Sequence, residues 1–157
     1  METIRKAFEI LSEAHTIEDV NNILNTLNVG NKYRMDDKSY PQITFKITSE
    51  EIQKLRNKKL LNSDNLLSDV SNESSLTKLL YAVAWKNGDL KKIRHIIEGI
   101  ESNNDDEKDS ALVFYQFGKY LTQKAGEPII DQHVLRAFGI FKASKNDEVS
   151  EIKRLTN

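Results

Sequence analysis

The chain is predicted to be mainly α, a multi-helix orthogonal bundle with one short extended segment near residues 43–48. Three observations carry that expectation. Apolar residues recur at helical spacing through most of the length, whereas period-two alternation appears once, at Ile43–Thr48. The 157 residues are 38% hydrophobic and 30% charged, enough for a single domain with a modest core and too apolar for wholesale disorder. The Asn-Gly, Ser/Asn/Asp-rich and Gly/Pro punctuation then divides the helical stretches into about seven helices.

In chain order, residues 1–30 read as a helical hairpin. Ile4, Ala7, Phe8 and Leu11 lie along one side of a first helix. Thr16 caps a second, with Glu18 and Asp19 near its positive end and Ile17, Val20, Leu24 and Leu27 along its face. Gly30 stands where that helix would stop. Residues 31–75 are a strand, loop and helix region. Polar 31–42, with Pro41, is a loop, and Ile43–Thr48 alternates apolar with polar as a half-buried strand or an isolated extended piece. Ser49 followed by Glu50, Glu51 and Ile52 starts a helix running to Leu60 and Leu61. The Asn- and Ser-rich stretch 62–75 is a loop or a short, weak helix.

Residues 76–143 form the more apolar half. Leu76, Leu79, Leu80, Val83 and Ala84 make a wide stripe ending near Trp85, which Asn87-Gly88 terminates. Asp89 is placed to cap the next helix, with Leu90, Ile93, Ile96, Ile97 and Ile100. Residues 101–109 are a polar connector of five acids and one lysine. Ala111, Phe114, Tyr115, Gly118 and Leu121 resume the helical period. A turn at Gly126 and Pro128 leads to a last core helix with Val134, Leu135, Phe138 and Phe141. The charged tail 144–157 adds a short frayed helix at most. Trp85, Phe114, Tyr115 and Tyr120 are expected in the core.

Composition excludes several kinds of chemistry. Without cysteine there is no disulfide scaffold, thiolate metal site or cysteine nucleophile. No apolar run approaches the roughly 20 residues that cross a bilayer, and the N-terminus lacks a signal-peptide core, so a cytoplasmic protein with no membrane partner is expected. No spacing suited to a metal, phosphate-binding glycine loop, dinucleotide fingerprint or nucleophile elbow occurs, and no cofactor is expected. The formal charge of −1 conceals a connector of −4 within a remainder of +3.

One segment carries a more pointed signal. Gly126–Phe141 reads GEPIIDQHVLRAFGIF, and its core, Pro128-Ile-Ile-Asp131-Gln-His133-Val-Leu-Arg136, resembles the helix-hairpin-helix DNA glycosylases, the superfamily of the endonuclease III type and the 8-oxoguanine glycosylase fold. Their stretch reads approximately P-x-V-D-x-H-V-x-R. The resemblance implies that Asp131 matches the catalytic acid or base at a helix start, and that His133 and Arg136 match the residues following it. It covers residues 89–142 at best, with the sharp part nine residues long. The departures are equally specific. Where the family has a glycine-containing hairpin against DNA phosphate, this chain has Asn103–Asp109, without glycine and with surplus negative charge. The lysine of lyase-competent members falls near Val113, with Lys108 displaced. A short and divergent relative is what these residues imply.

Each candidate has a plainer role beside the functional one. Asp131 suits an N-cap accepting from the amide at 133 or 134, and Arg136 can pair with Glu127 or Asp131 as readily as with a phosphate. Lys54, Arg56, Lys58 and Lys59 form one basic group and Lys86, Lys91, Lys92 and Arg94 another; both also suit solvated helix surfaces. Three readings follow. The first is a non-enzymatic DNA-associated module on a degenerate glycosylase-like core, contacting DNA through Lys54, Arg56, Lys58, Lys59, Lys91, Lys92, Arg94 and Arg136. The second is a helical protein-interaction or assembly protein, in a bacterial or mobile-element setting suggested by the Lys-, Asn- and Ile-rich composition. It requires an exposed apolar patch on the 1–30 hairpin or the 76–100 pair, and a dimer. The third, a monofunctional base-excision glycosylase using Asp131, comes last because two of its expected parts are missing.

Overall fold

The computed structural model describes residues 2–26, 38–102 and 111–142. Among them are seven α-helices and no β-strand, so the protein is mainly helical. They are α1 (Glu2–Ser12), α2 (Ile17–Thr26), α3 (Ser49–Asn57), α4 (Ser75–Lys86), α5 (Lys92–Glu101), α6 (Leu112–Leu121) and α7 (Gln132–Lys142). The tail helix considered at 149–155 and the connector 103–109 lie outside the described residues.

The chain forms two compact units, one of Met1–Ile43 with Asp131–Asn157 and one of Thr44–Ile130. In the first, α1 packs against α7 and α2. Phe8 of α1 stacks on Phe141 at 5.2 Å between ring centroids and meets Phe138 edge-on at 6.2 Å. Arg5 donates to the carbonyl of Phe141 (3.2 Å), one of the C-terminal carbonyls that a helix leaves unsatisfied. Leu135 and Ile140 are the buried apolar side chains among this unit's described residues. At the start of α2, Thr16 and Asp19 exchange hydrogen bonds reciprocally: Asp19 N–H donates to the Thr16 hydroxyl, and Thr16 N–H to the Asp19 carboxylate. The threonine hydroxyl is the chief reason that carboxyl titrates below its ordinary range.

The second unit is centred on α5 and α6, with α3 packed on α5. Its core comprises Ile52, Leu61, Ile97, Ile100, Tyr115 and Leu121. Two glycines let the central helices approach backbone to backbone. A Cβ on Gly99 would lie 2.0 Å from the Tyr115 carbonyl oxygen, and one on Gly118 2.1 Å from that of Ile96. Tyr115 is expected in the core and is there; Phe114 and Tyr120 are half-buried, and Trp85 is 66% exposed. The expectation for Trp85 fails because α4, unlike α5 and α6, packs broadly on no other helix among the described residues.

Local signals explain most helix ends. Thr48, rather than Ser49, caps α3: its hydroxyl accepts from Glu51 N–H while the Glu51 carboxylate accepts from Thr48 N–H, a capping box. Residues 43–48 are extended but not a strand, and Ile47 N–H donates to the Leu121 carbonyl (3.0 Å). Alternation does not predict their burial, since Phe45 is 59% exposed while Ile43 and Ile47 are half-buried. After α3 the chain doubles back through a single antiparallel bridge, Leu61 to Leu67. Asn62 organises the turn by accepting from the amides of Asp64 and Leu66. α4 is capped by Ser74 and closes in a Schellman motif. Gly88 (φ 72°) donates to the Trp85 carbonyl and Asp89 N–H to that of Ala84. Asp89 is therefore committed to ending α4. The expected cap at Asp89 is corrected: α5 begins at Lys92, and the Asp89 carboxylate instead pairs with the Lys92 ammonium.

Candidate interaction surface

α4 reads SLTKLLYAVAWK, and none of its residues is buried. At about 100° per residue, Leu79, Val83, Leu76 and Leu80 fall side by side on an arc of roughly 100°, the width of the stripe that normally faces a core. Here it faces outward: Leu76 is 65% exposed, Leu79 62%, Leu80 60% and Val83 52%. Thr77, Tyr81 and Ala84, on the neighbouring side of the helix, are its half-buried residues. Lys86 flanks the stripe beside Leu79 and Val83, Lys78 and Trp85 lie on the far side, and α4 contains no acidic residue. Scattered exposed leucines are ordinary, whereas a full helical face of them in one register is not.

The basic residues singled out from the sequence divide into two groups. Arg56 faces inward to Glu101 at the end of α5: its two terminal nitrogens reach the two carboxylate oxygens at 2.5 and 2.6 Å. Its Nε and Nη2 also donate to the Asn65 side-chain oxygen, at 3.1 and 2.7 Å. This planar fork pins the 60–67 turn and α3 to α5, and the bond to Glu101 holds the guanidinium proton more tightly than usual. Lys92 pairs with Asp89 and lies 4.8 Å from the centre of the Phe114 ring. Arg94 sits 3.7 Å from Glu98, whose carboxylate also meets His95 Nδ1 at 3.1 Å. Lys54, Lys58, Lys59 and Lys91 are exposed, with Lys59 in the left-handed region (φ 60°) where α3 ends.

The segment resembling the glycosylases is divided between the two units, with Gly126–Ile130 in one and Asp131–Phe141 in the other. Asp131 is exposed, and its carboxylate accepts from Val134 N–H at 2.8 Å, the geometry of an N-cap on α7. His133 is exposed and Arg136 half-buried on the same helix. Glu127 belongs to a different set of contacts. It accepts from the Gln116 amide (2.9 Å), and its other oxygen meets the Lys119 ammonium (3.2 Å), tying the turn after α6 back onto that helix. The Gln116 bond, reinforced by Lys119, holds this carboxyl below the ordinary glutamate range.

Among the described residues, no three His, Asp or Glu side chains gather as metal ligands would, and no helix is long and apolar enough to cross a membrane. No family model, curated protein or solved structure matches the chain. What sequence reasoning missed is which of two similar stripes lies inside. The stripes of α4 and α5 share the helical period, yet Ile97 and Ile100 are buried whereas the α4 leucines are not. A signal was available in the glycines: α5 and α6 each carry one where they cross, and α4 has none.

Proposed function

We propose that this protein is a helical protein-interaction module whose docking element is α4. One observation carries the reading: Leu76, Leu79, Leu80 and Val83 form a continuous apolar face that is more than half exposed. Full burial of such a side chain is worth about 1.5–3 kcal/mol, and with each of the four more than half exposed a protein partner covering the face would recover about half of that per residue. The basic residues support DNA association less strongly, because Arg56, Lys92 and Arg94 each have a carboxylate partner within the chain. That reading rests on exposed Lys54, Lys58, Lys59 and Lys91, and the glycosylase resemblance on Pro128–Arg136, where Asp131 is exposed and accepts from Val134 N–H.

Photo-crosslinking in cells tests the proposal. A benzophenone side chain at Leu79 is expected to give discrete protein adducts, copies of this chain included, while the same group at exposed Lys58 gives none. Equal labelling at both positions, or none at Leu79, would overturn it. A salt-sensitive duplex-DNA gel shift abolished by charge reversal at Lys54, Lys58 and Lys59, with no adduct at Leu79, would favour the DNA reading instead.

A further inference from the structure

We infer that residues 69–91, with α4 at their centre, form an arm that opens and melts on its own while the rest of their unit stays folded. The bonding of the chain sets this up. Ser68 N–H donates to the Leu60 carbonyl (2.9 Å), and Asn65 is gripped by Arg56, which also holds Glu101 at the end of α5. Lys92, the first residue of α5, closes the excursion and lies 4.8 Å from the centre of the Phe114 ring on α6. Between these two anchors the chain is self-contained. Among the described residues, the hydrogen bonds and ion pairs of 69–91 are made within that stretch or to Lys92. They are the turns at Asp69–Ser71 and Val70–Glu73, the Ser74 cap, the bonds of α4 with its Schellman closure, and the Asp89–Lys92 pair. None ties the arm to α3, to α6 or to the body of α5.

Packing adds little to hold it closed. Thr77, Tyr81 and Ala84, at i, i+4 and i+7, are the half-buried row of α4, while the larger apolar row faces away. The helix thus turns its poorer side inward, and none of its residues is buried, against three in each of α5 and α6. A helix of 12 residues is marginal by itself in water. The Ser74 cap and the Schellman closure favour its helical form without linking it to the core. Opening sacrifices α4's own bonds and the partial burial of its inner row. The anchors at Ser68 and Lys92 and the glycine crossing of α5 and α6 are left as they are. Such a segment opens at far lower free energy than the unit that carries it. The inference goes beyond the docking reading and holds whether or not the outer face meets a partner.

Amide hydrogen exchange, read residue by residue by NMR in the purified chain, tests the arm. Backbone chemical shifts should show α4 as helical. Corrected for intrinsic rates, the amides of Leu79–Lys86 should nonetheless exchange at least about a hundredfold faster than those of Ile97, Ile100, Tyr115 and Leu121. Sub-denaturing urea should hardly change the α4 rates, because a local opening exposes little surface, while the core rates climb steeply. Gly118→Ala strains the core where it meets Ile96 and Gly99, both outside the arm. It should speed core exchange about fivefold or more and leave the α4 rates unchanged.

Exchange of α4 in step with the core, in urea or in Gly118→Ala, would overturn the inference. So would coil chemical shifts throughout α4, since an arm that never closes has nothing to open. Where Gly118→Ala does not fold, the urea series on the wild-type chain decides alone. The outcome is separate from that of the docking reading: an arm locked to the core leaves the Leu79 adducts to judge that reading by themselves.

Discussion

Gly118 has no side chain to lose, yet the crossing of α5 and α6 depends on it. A methyl group there would meet the Ile96 carbonyl oxygen at 2.1 Å, and backbone on both sides leaves no flexible side chain to give way. Gly118→Ala is therefore expected to cost about 1–3 kcal/mol or more, read from the denaturant midpoint. Gly88→Ala meets nothing within 4 Å and should cost about 1 kcal/mol, through its left-handed φ of 72° alone. Equal losses in the two variants would contradict the close crossing. Glu127 acts at the same scale through charge. Its folded pKa is depressed, so its contribution is fully present above the unfolded glutamate value of about 4.3 and is lost as pH falls through the lower folded value. Glu127→Gln should lower stability by about 0.5–1 kcal/mol at neutral pH. Thermal melts should show that gap closing below about pH 4, and a gap independent of pH would refute the ionic part of the contact.

Helix ends were largely legible, because they depend on nearest neighbours. Asn87-Gly88 reads as a stop and forms a Schellman turn, and Asp131 reads as a cap and accepts from Val134 N–H. α3 begins at Ser49, where the sequence places it, and the start of α5 is the one that differs. Thr48 and Ser49 can both cap, and only Thr48 lies three residues before Glu51. Asp89 looks like a cap for α5 until its N–H is taken by the Ala84 carbonyl. Packing was less legible, since periodicity shows that a helix has an apolar face without showing what covers it. Arg56 illustrates the same limit among charges. In sequence it belongs to a basic run, and only the return of the chain at residues 60–67 reveals that Asn65 and Glu101 hold it.

The whole molecule comprises two helical units, one closed by the Phe8, Phe138 and Phe141 rings and one built on the glycine crossing of α5 and α6. The charge of −1 acquires a structural reading at this level. Part of the positive remainder is consumed in ion pairs that hold helices and turns in place, leaving the apolar surface of α4 as the more distinctive feature. That the apolar stripe of α4 lies outside the core is the premise on which docking depends. Trp85, the chain's only tryptophan, is 66% exposed on the side of α4 away from the stripe, so an indole moved to position 79 (Leu79→Trp in a Trp85→Phe chain) reports on the stripe itself. Iodide and acrylamide quenching of its fluorescence in the folded, purified protein should approach that of free indole. An indole at position 79 shielded from both quenchers while the helices remain intact would place the stripe of α4 inside the core and contradict the proposed docking face.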